Sequence, residues 1–265
     1  MPELPEVETV VRELKHLIGD QIVSLKVHWF KTVNDKEKIF RTQLLKQPIT
    51  DVFRRGKYIC FAFKNKVILT IHLRMTGKLV FSLSKKDHKH CRLEFGLKAN
   101  NTLYFIDIRK FGRMELWEEN NLLPDLGPEP LEKEIVYNAL LKYCGKKEIK
   151  KVLLDQKILV GVGNIYADEA LFQAKIHPEL KFNTISKKRI AILSEVIPKI
   201  LKASIKNMGT TLSDYRTTKN VGGENQNYLK VYGQTGLACE QCQSTIKRIV
   251  VGGRSSHFCP VCQKK

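Results

Sequence analysis

Four cysteines near the end of the 265-residue chain are spaced like metal ligands. Two C-x2-C pairs enclose sixteen residues, and their members are Cys239, Cys242, Cys259 and Cys262. Four thiolates complete the tetrahedral shell of a structural zinc ion, and this spacing is typical of such sites. Two disulfides or a redox dithiol are the alternatives, although disulfides are typical of secreted chains. The spacing therefore predicts one structural zinc ion.

Pro2 and Glu3 could carry covalent chemistry at the other end of the sequence. Removal of Met1 would make Pro2 a secondary amine, and a free α-amino group is partly unprotonated at neutral pH. Attack of that amine on a sugar aldehyde carbon gives a cationic iminium, which withdraws electrons and favours the cleavage of nearby bonds. Glu3 is a candidate acid–base group. The alternative is structural, because proline and acidic residues are favourable in the first turn of a helix.

Three further stretches could contact nucleic acid. Arg109 and Phe111 follow an apolar run, and Met75 lies in a similar setting. Apolar side chains beside arginine can fill the gap left by a displaced base. The turn 161–164 lacks the third glycine of a dinucleotide-binding motif, so it predicts backbone N–H groups that face a phosphate. Arg254 follows two glycines that predict a hairpin tip. Loop packing, a structural turn and a solvated arginine are the alternatives.

Charge and hydropathy narrow the class of protein. The net charge is +19 and the isoelectric point is about 9.6, which is typical of proteins that bind nucleic acid; a solubilising surface is the alternative. Apolar residues make up 43% of the chain, enough for a packed core. No apolar run is long enough to cross a membrane, and the start of the chain lacks the basic residues of a signal peptide. We therefore expect a soluble intracellular protein.

The hydrophobic periodicity changes along the chain. Residues 3–18 repeat at helical spacing, whereas residues 21–117 alternate like the short strands of an antiparallel sandwich. Two prolines and a glycine within residues 126–130 predict a linker. Residues 131–210 return to a helical pattern, and the polar residues 215–236 predict a mobile loop. The strand-like runs are 23–29, 58–63, 67–72, 78–81, 91–95, 103–108 and 114–117.

Seven motifs occur in one order along this chain. They are MPELPEVETV at 1–10, GKY at 56–58, HLRMTG at 72–77, DIRKFGR at 107–113, LGPEPL at 126–131, GVGNIYADEALF at 161–172 and GRSSHFCPVCQ at 253–263. Together they resemble the formamidopyrimidine-DNA glycosylase family, over nearly the whole chain. The resemblance implies an α+β fold with an N-terminal helix, an antiparallel β-sandwich, a helical helix–two-turn–helix domain and a C-terminal zinc-finger β-hairpin.

The same resemblance implies domain limits. They are an N-terminal β-sandwich catalytic domain at 1–125, a linker at 126–130, a helix–two-turn–helix DNA-binding domain with a lesion-covering loop at 131–232, and a zinc finger at 233–265. Two stretches depart from the family's usual pattern. Residues 222–226 replace a Phe-Gln pair in the loop that covers the flipped base, and residues 232–239 differ from the usual run before the zinc site. The resemblance therefore predicts strand cleavage more firmly than it predicts which lesion the protein prefers.

Roles for single residues also follow from the resemblance. Pro2 matches the nucleophile that forms a Schiff base at C1′, and Glu3 matches the acid that protonates the sugar ring or the leaving group. Lys57 matches a lysine proposed as proton donor around β-elimination, and Arg254 matches an arginine associated with δ-elimination. The matching DNA-binding positions are His90, Arg109, Lys150, Asn164, Met75 and Phe111. Of these, Met75, Arg109 and Phe111 match the triad that fills the vacated stack.

The expected activity is base-excision repair. A bifunctional DNA glycosylase and abasic-site lyase would remove 8-oxoguanine and formamidopyrimidines from damaged double-stranded DNA, then cut the strand by β,δ-elimination. We expect a monomer in the bacterial cytoplasm that associates with the nucleoid through DNA. Two alternatives stay open: a sister enzyme of the same fold that prefers oxidised pyrimidines, and a zinc-dependent DNA-binding protein without catalysis.

Overall fold

A computed structural model describes residues 1–265 and contains six α-helices and ten β-strands. The helices are α1 (Leu4–Leu14), α2 (Glu37–Leu44), α3 (Lys133–Leu141), α4 (Ile149–Leu154), α5 (Asn164–Gln173) and α6 (Lys187–Lys206). The strands are β1 (Ile22–Val27), β2 (Ile49–Arg55), β3 (Tyr58–Phe63), β4 (Val67–His72), β5 (Lys78–Val80), β6 (Cys91–Leu97), β7 (Thr102–Ile106), β8 (Arg113–Glu118), β9 (Lys247–Val251) and β10 (Arg254–Phe258). None of the helices is long and apolar enough to span a membrane.

The N-terminal unit, Met1–Pro124 with Asn207–Glu224, contains two antiparallel sheets. Their strand orders are β1-β6-β7-β5 and β2-β3-β4-β8. Buried side chains from α1 and from both sheets form one apolar cluster, which includes Val10, Leu25 and Phe61. Because side chains alternate between the two faces of a strand, each sheet can direct one apolar face into this shared core. The predicted α+β fold with an antiparallel sandwich is confirmed.

The alternation predicts β3 and β4 with their observed bounds, but it misses β2 and α2. A register shift within β2 leaves the buried side chains of Ile49 and Val52 three residues apart instead of two. Helix α2 has only eight residues and buries two of them. A shift in β1 leaves Val23 45% exposed, although the alternation predicts that it shares a face with Leu25. Bulges and short helices weaken the periodicity on which such predictions depend.

The segment Asn207–Glu224 is hydrogen-bonded to α1, the first helix of the same unit. The backbone N–H of Thr210 donates to Glu6 Oε1 at 2.7 Å. The backbone N–H and the hydroxyl of Thr218 both donate to Glu13 Oε2, at 2.7 and 2.6 Å. Carboxylates on one helix therefore hold a polar stretch that lies about two hundred residues later in the chain.

The C-terminal unit, Asp125–Lys206 with Asn225–Lys265, is mainly helical and ends in a β-hairpin. Strands β9 and β10 are joined by Gly252 and Gly253 at the predicted hairpin tip, and their φ angles of +58° and +74° suit a type I′ turn. Glu169 on α5 accepts hydrogen bonds at 2.9 Å from the backbone N–H groups of residues 230–232. This buried carboxylate attaches the irregular chain before the zinc cysteines to the helical part.

Replacement of Gly209 tests the contact between α1 and the 207–224 segment. Gly209 has a φ angle of +77°, and an added Cβ would lie 2.8 Å from Glu6 Oε1. We expect Gly209→Ala to lower the free energy of unfolding by more than the roughly 1–2 kcal/mol of left-handed backbone strain, because the Glu6 carboxylate must also move. Gly233→Ala is the control, since its φ is +78° and no atom lies within 4 Å of the added Cβ. Equal losses in urea unfolding of the two variants would contradict this contact.

Candidate active site

The candidate nucleophile lies at the start of α1. Pro2 is buried, Glu3 is 3% exposed and Met1 is 46% exposed. The backbone N–H of Glu3 donates to Glu6 Oε2 at 2.7 Å, which forms part of a capping box. Carboxylates are also favourable at the positive end of a helix. The fold therefore fixes an acidic residue directly beside the residue that would carry the amine.

Lys57 occupies the turn between β2 and β3 and is 6% exposed. Arg54 holds this turn, because its guanidinium donates to Gly56 O at 3.1 Å and to Glu8 Oε2 at 3.0 Å. Burial raises the pKa of Glu8, but the hydrogen bonds and charges of Arg12 and Arg54 outweigh it and hold the pKa below its usual range. Since Glu8 lies on α1, the ion pair ties the lysine turn to the helix that begins at the candidate nucleophile.

His72 is a neighbour of Lys57 that the sequence motifs contain but do not single out. It pairs with Tyr58 across β3 and β4, and the two rings meet edge to face with centroids 4.7 Å apart. The backbone N–H of Arg74 donates to His72 Nδ1 at 3.0 Å, so Nδ1 is an acceptor and the ring proton belongs on Nε2. Burial, followed by the charges of Arg74 and Lys57, lowers the pKa of His72 to about 3. A neutral ring with an Nε2–H group is suited to donate to a phosphate oxygen.

Met75, Arg109 and Phe111 lie together on two neighbouring loops. Arg109 Nη1 is 3.0 Å from Met75 Sδ, and Arg109 Cζ is 4.9 Å from the centroid of the Phe111 ring. Met75 is 42% exposed and Phe111 is 48% exposed. Two apolar side chains are thus held in solvent beside a cation, which is an arrangement suited to contacts with stacked bases.

A buried carboxylate, Asp107, joins the two loops. Asp107 is 1% exposed, and its Oδ2 accepts the backbone N–H of Gly112 at 2.7 Å. Its Oδ1 accepts the Thr76 hydroxyl and, at 3.2 Å, the backbone N–H of Arg109. Asp107 therefore fixes the loops that carry Met75 and Arg109. The DIRKFGR motif contains Asp107, but only the folded chain reveals these contacts.

His90 lies half-buried beside a basic groove of the same unit. Its Nδ1 is 3.4 Å from Arg92 Nη2. The groove has a volume of about 400 Å³. Its basic lining residues are Lys78, Lys86, Lys89, His90 and Arg216. These side chains outnumber the groove's two aspartates, Asp87 and Asp214, so the groove is suited to an anionic ligand such as a phosphate backbone.

Lys150 lies inside the C-terminal unit, with its side chain fully buried. Its ammonium donates to the Asp168 carboxylate and, at 3.1 Å, to the backbone O of Asn164. The other oxygen of Asp168 accepts the backbone N–H of His257 at 2.9 Å and lies 3.1 Å from its Nδ1. The hydrogen bonds among Lys150, Asp168 and His257 thus join α4, α5 and β10. The buried Lys150 ammonium therefore holds the backbone of Asn164 through a hydrogen bond.

Asn164 and Arg254 lie close to one another in the C-terminal unit. Asn164 is the first residue of α5, and its Nδ2 donates to Ser255 O at 2.9 Å. Arg254 directly precedes Ser255 in the sequence and is exposed at the start of β10. The first turn of α5 also offers backbone N–H groups and a partial positive charge. The predicted glycine turn and the predicted hairpin tip therefore sit beside each other.

The four clustered cysteines fit one zinc ion. Their Sγ atoms all lie within 4.8 Å of one another. Cys239 and Cys262 have Sγ atoms 3.9 Å apart, and the Sγ atoms of Cys242 and Cys259 are 3.4 Å apart. A tetrahedral zinc with Zn–S bonds of about 2.3 Å needs sulfur separations of roughly 3.8 Å, whereas a disulfide needs about 2.05 Å. A zinc ion held by these four thiolates would supply a structural cross-link, and the prediction of one structural zinc ion is confirmed.

The depressed pKa of His72 predicts a pH-dependent stability. The unfolded chain takes up a proton at this residue as the pH falls through about 6.5, whereas the folded ring does so only at about 3. The stability is therefore complete above about pH 6.5 and falls progressively as the pH drops towards 3. We expect His72→Asn to remove about 2 kcal/mol of the loss between pH 7 and pH 5 in urea unfolding. A ring titration of the parent protein with a midpoint near 6.5, observed by NMR, would show this to be wrong.

Because Asp168 is buried and paired, removal of its negative charge should greatly lower the free energy of unfolding. Asp168→Asn should lower the free energy of unfolding by about 3–5 kcal/mol, because the buried ammonium of Lys150 loses its carboxylate. Asp155→Asn is the matched control; Asp155 pairs with Lys147 at 3.4 Å, with side chains 30% and 56% exposed. Its replacement should cost less than about 1 kcal/mol. Denaturant unfolding compares the two variants, and similar losses would argue against a special role for the buried pair.

The chain matches three domain families. These are the formamidopyrimidine-DNA glycosylase N-terminal domain at residues 1–114, the formamidopyrimidine-DNA glycosylase H2TH domain at residues 126–216, and a zinc finger found in FPG and IleRS at residues 236–265. The formamidopyrimidine-DNA glycosylase of Herpetosiphon aurantiacus is 43% identical over 272 residues, which cover 99% of this chain and 100% of the relative. That of Lactiplantibacillus plantarum is 41% identical over 273 residues, with full coverage of both.

Solved structures of the Lactococcus lactis enzyme share the fold. A variant in complex with Fapy-dG-containing DNA has a TM-score of 0.91 at 38% identity and covers all of both chains. A complex with abasic-site DNA has a TM-score of 0.89 at 37% identity and covers 99% of this chain and 100% of the relative. A wild-type complex with DNA that contains an oxidised pyrimidine has a TM-score of 0.89 at 38% identity. With these matches along nearly its whole length, the chain belongs to the formamidopyrimidine-DNA glycosylase family.

Proposed function

We propose that this protein is a base-excision-repair enzyme, a DNA glycosylase and abasic-site lyase that removes oxidised purines from duplex DNA. The observation that carries the proposal is a family match in all three parts of a chain that keeps Pro2 and Glu3 at the start of α1. Related enzymes have been solved with Fapy-dG and abasic-site DNA. The net charge of +19 suits a polyanionic substrate whose binding weakens with added salt.

Access to the damaged nucleotide comes first. The glycosidic carbon cannot be reached inside a duplex, so the nucleotide must be extruded at a cost of a few kcal/mol. We assign Met75 and Phe111 to the gap that is left, with Arg109 between them and facing the orphan cytosine. Stacking on these side chains and neutralisation of phosphates offset the cost of extrusion. The phosphate contacts are assigned to His90 and Asn164. Lys150 holds the backbone of Asn164 in place through its hydrogen bond to Asn164 O.

Base release then proceeds through a covalent intermediate. The free amine of Pro2 attacks C1′, and the bond from C1′ to the base breaks as the base takes up a proton. Glu3 protonates the sugar-ring oxygen, so the ring opens and an iminium joins the Pro2 nitrogen to C1′. The positive iminium withdraws electrons from the neighbouring carbons, which makes their hydrogens acidic.

Two eliminations cut the strand from this iminium. In the first, a proton leaves C2′ and the C3′–O bond breaks, which releases one phosphate. In the second, a proton leaves C4′ and the C5′–O bond breaks, which releases the other phosphate. We assign Lys57 to proton transfer around the first step and Arg254 to the second, where a guanidinium can stabilise the departing phosphate. Water then hydrolyses the iminium, and a gap of one nucleotide is left.

The domain limits proposed for this activity are 1–125 for the catalytic sandwich, 126–130 for the linker, 131–232 for the helix–two-turn–helix part and 233–265 for the zinc finger. Residues 126–130 contain no helix or strand, which suits a linker. Part of the proposed lesion-covering loop belongs to the 207–224 segment, which is hydrogen-bonded to α1. We further propose that the enzyme acts as a monomer in the bacterial cytoplasm and associates with the nucleoid through DNA.

A wider lesion range is the second candidate. The Lactococcus lactis relative was solved with DNA that contains an oxidised pyrimidine. Residues 222–226 of this chain also depart from the family's usual loop sequence. Cleavage of matched duplexes that carry either 8-oxoguanine or an oxidised pyrimidine separates the two specificities, because only the lesion differs between the substrates.

Replacement of Pro2 tests the proposed nucleophile. Borohydride should trap the parent protein on a duplex with 8-oxoguanine opposite cytosine, and mass spectrometry should place the adduct on Pro2. We expect Pro2→Gly to lower the trapped yield by at least about tenfold with little change in DNA affinity, because the secondary amine is lost while the DNA contacts remain.

Pro5→Ala is the control for this experiment. Pro5 also lies in the first turn of α1 and is buried, but its nitrogen is part of a peptide bond. This variant should therefore be trapped like the parent protein. Undiminished trapping of Pro2→Gly would count against Pro2 as the nucleophile. Intact DNA binding without any adduct on lesion or abasic-site DNA, in protein that lacks Met1, would favour a binding-only protein.

A further inference from the structure

His28, Cys91 and Glu94 form a cluster of metal-binding side chains that the proposed reaction does not use. One donor atom of each residue, a ring nitrogen, a sulfur and a carboxylate oxygen, lies within 4.8 Å of the other two. His28 Nε2 is 2.7 Å from Glu94 Oε1. Cys91 and Glu94 lie on β6, and His28 directly follows the neighbouring strand β1. All three are separate from the four zinc-finger cysteines.

The strand geometry brings these residues to one face. Lys26 on β1 lies opposite Glu94 on β6. His28 follows just after the end of β1, and its ring contacts the Glu94 carboxylate. Cys91 and Glu94 are three residues apart and would point to opposite faces of a regular strand. A register shift between Cys91 and Leu93 inserts one extra residue into β6, which turns Cys91 towards Glu94. The bulge therefore creates the cluster.

The donor set suits a borderline divalent cation. Imidazole nitrogen, thiolate sulfur and carboxylate oxygen are all zinc ligands, and three protein ligands with one open position form a common type of zinc site. The Cys91 thiol donates to Leu93 O at 3.7 Å, and it would give up this proton on binding a cation. A thiolate and a carboxylate this close repel each other, and a cation between them would remove that repulsion.

The surroundings leave a path for an ion. Cys91 is 7% exposed, whereas the side chain of His28 is 44% exposed, so an ion can enter from the His28 side. Lys26 lies 3.7 Å from Glu94 Oε2, but its side chain is 70% exposed and can turn into solvent when a cation binds.

We propose that His28, Cys91 and Glu94 bind one Zn²⁺ ion in addition to the zinc-finger ion, with water in the open position. Trp29 follows His28 directly, and the Lys110 ammonium lies 4.2 Å from the centroid of its ring. Lys110 stands between Arg109 and Phe111 in the sequence. The site is therefore next to a natural fluorophore and to the loop assigned to the vacated base stack.

The test uses full-length protein whose four-cysteine site is saturated with zinc and whose excess metal has been removed. Isothermal titration with Zn²⁺ should show one further ion per chain. Cys91→Ser and His28→Asn should each weaken that binding by at least about tenfold, because even the loss of a residue that only orients a metal ligand weakens binding by about 10–100-fold. Cys144→Ser is the matched control, because Cys144 is exposed and belongs to neither cluster of metal-binding side chains. It should bind the second ion like the parent protein.

Cobalt provides a second readout on the same zinc-loaded protein. Added Co²⁺ should give a thiolate-to-cobalt absorption band that is absent from Cys91→Ser, and it should quench Trp29 fluorescence in a Trp117→Phe background. Circular dichroism and zinc content check that each variant is folded, and the nearly isosteric Glu94→Gln replaces any variant that is not. Absence of a second ion, or equal binding by the parent protein and the Cys91 and His28 variants, would overturn the proposal. So would a cobalt band that persists in Cys91→Ser.

Discussion

Asp168 is the buried charge on which the arrangement of the C-terminal unit depends. A carboxylate without solvent is unfavourable by several kcal/mol unless it is paired and hydrogen-bonded. Here one oxygen receives the Lys150 ammonium and the other receives two groups of His257. The pairing fixes α5 against β10, and the Asn164 contact with Ser255 lies in the same junction. An interior ion pair thus determines where the exposed Arg254 stands.

The N-terminal unit uses buried acids in a similar way. Asp107 and Glu6 are each 1% exposed. Asp107 accepts the backbone N–H of Gly112 in its own loop and the hydroxyl of Thr76, whereas Glu6 accepts the backbone N–H of the distant Thr210. The chain has 27 acidic residues against 46 basic ones. Several of the scarce acids are inside, where each holds a loop, while most of the basic side chains stay in solvent. The surface can therefore be strongly positive and still have loops of defined shape.

Local sequence signals account for much of this protein, and contacts between distant residues account for the rest. The cysteine spacing predicts the zinc cluster, and the helical period predicts α1, because both patterns lie within short stretches. Helix α2 and strand β2 escape prediction since one is short and the other contains a register shift. The burial of Lys150 cannot be read from its own neighbourhood, because the partner carboxylate stands eighteen residues later. The importance of Glu6 likewise depends on a residue two hundred positions away.

Asp107 holds its loop through backbone N–H groups, and this has an evolutionary consequence. The N–H group of residue 109 is present whatever side chain this position carries, proline excepted. Gly112 supplies the other N–H group and is itself fixed, because an added Cβ would lie 2.4 Å from Phe105 Cζ. The loop can therefore keep its path while Arg109 and Phe111 are exchanged for other residues. Preference for the base opposite a lesion could drift among relatives without loss of the fold. The path of the loop and the side chains assigned to the base pair can therefore vary independently.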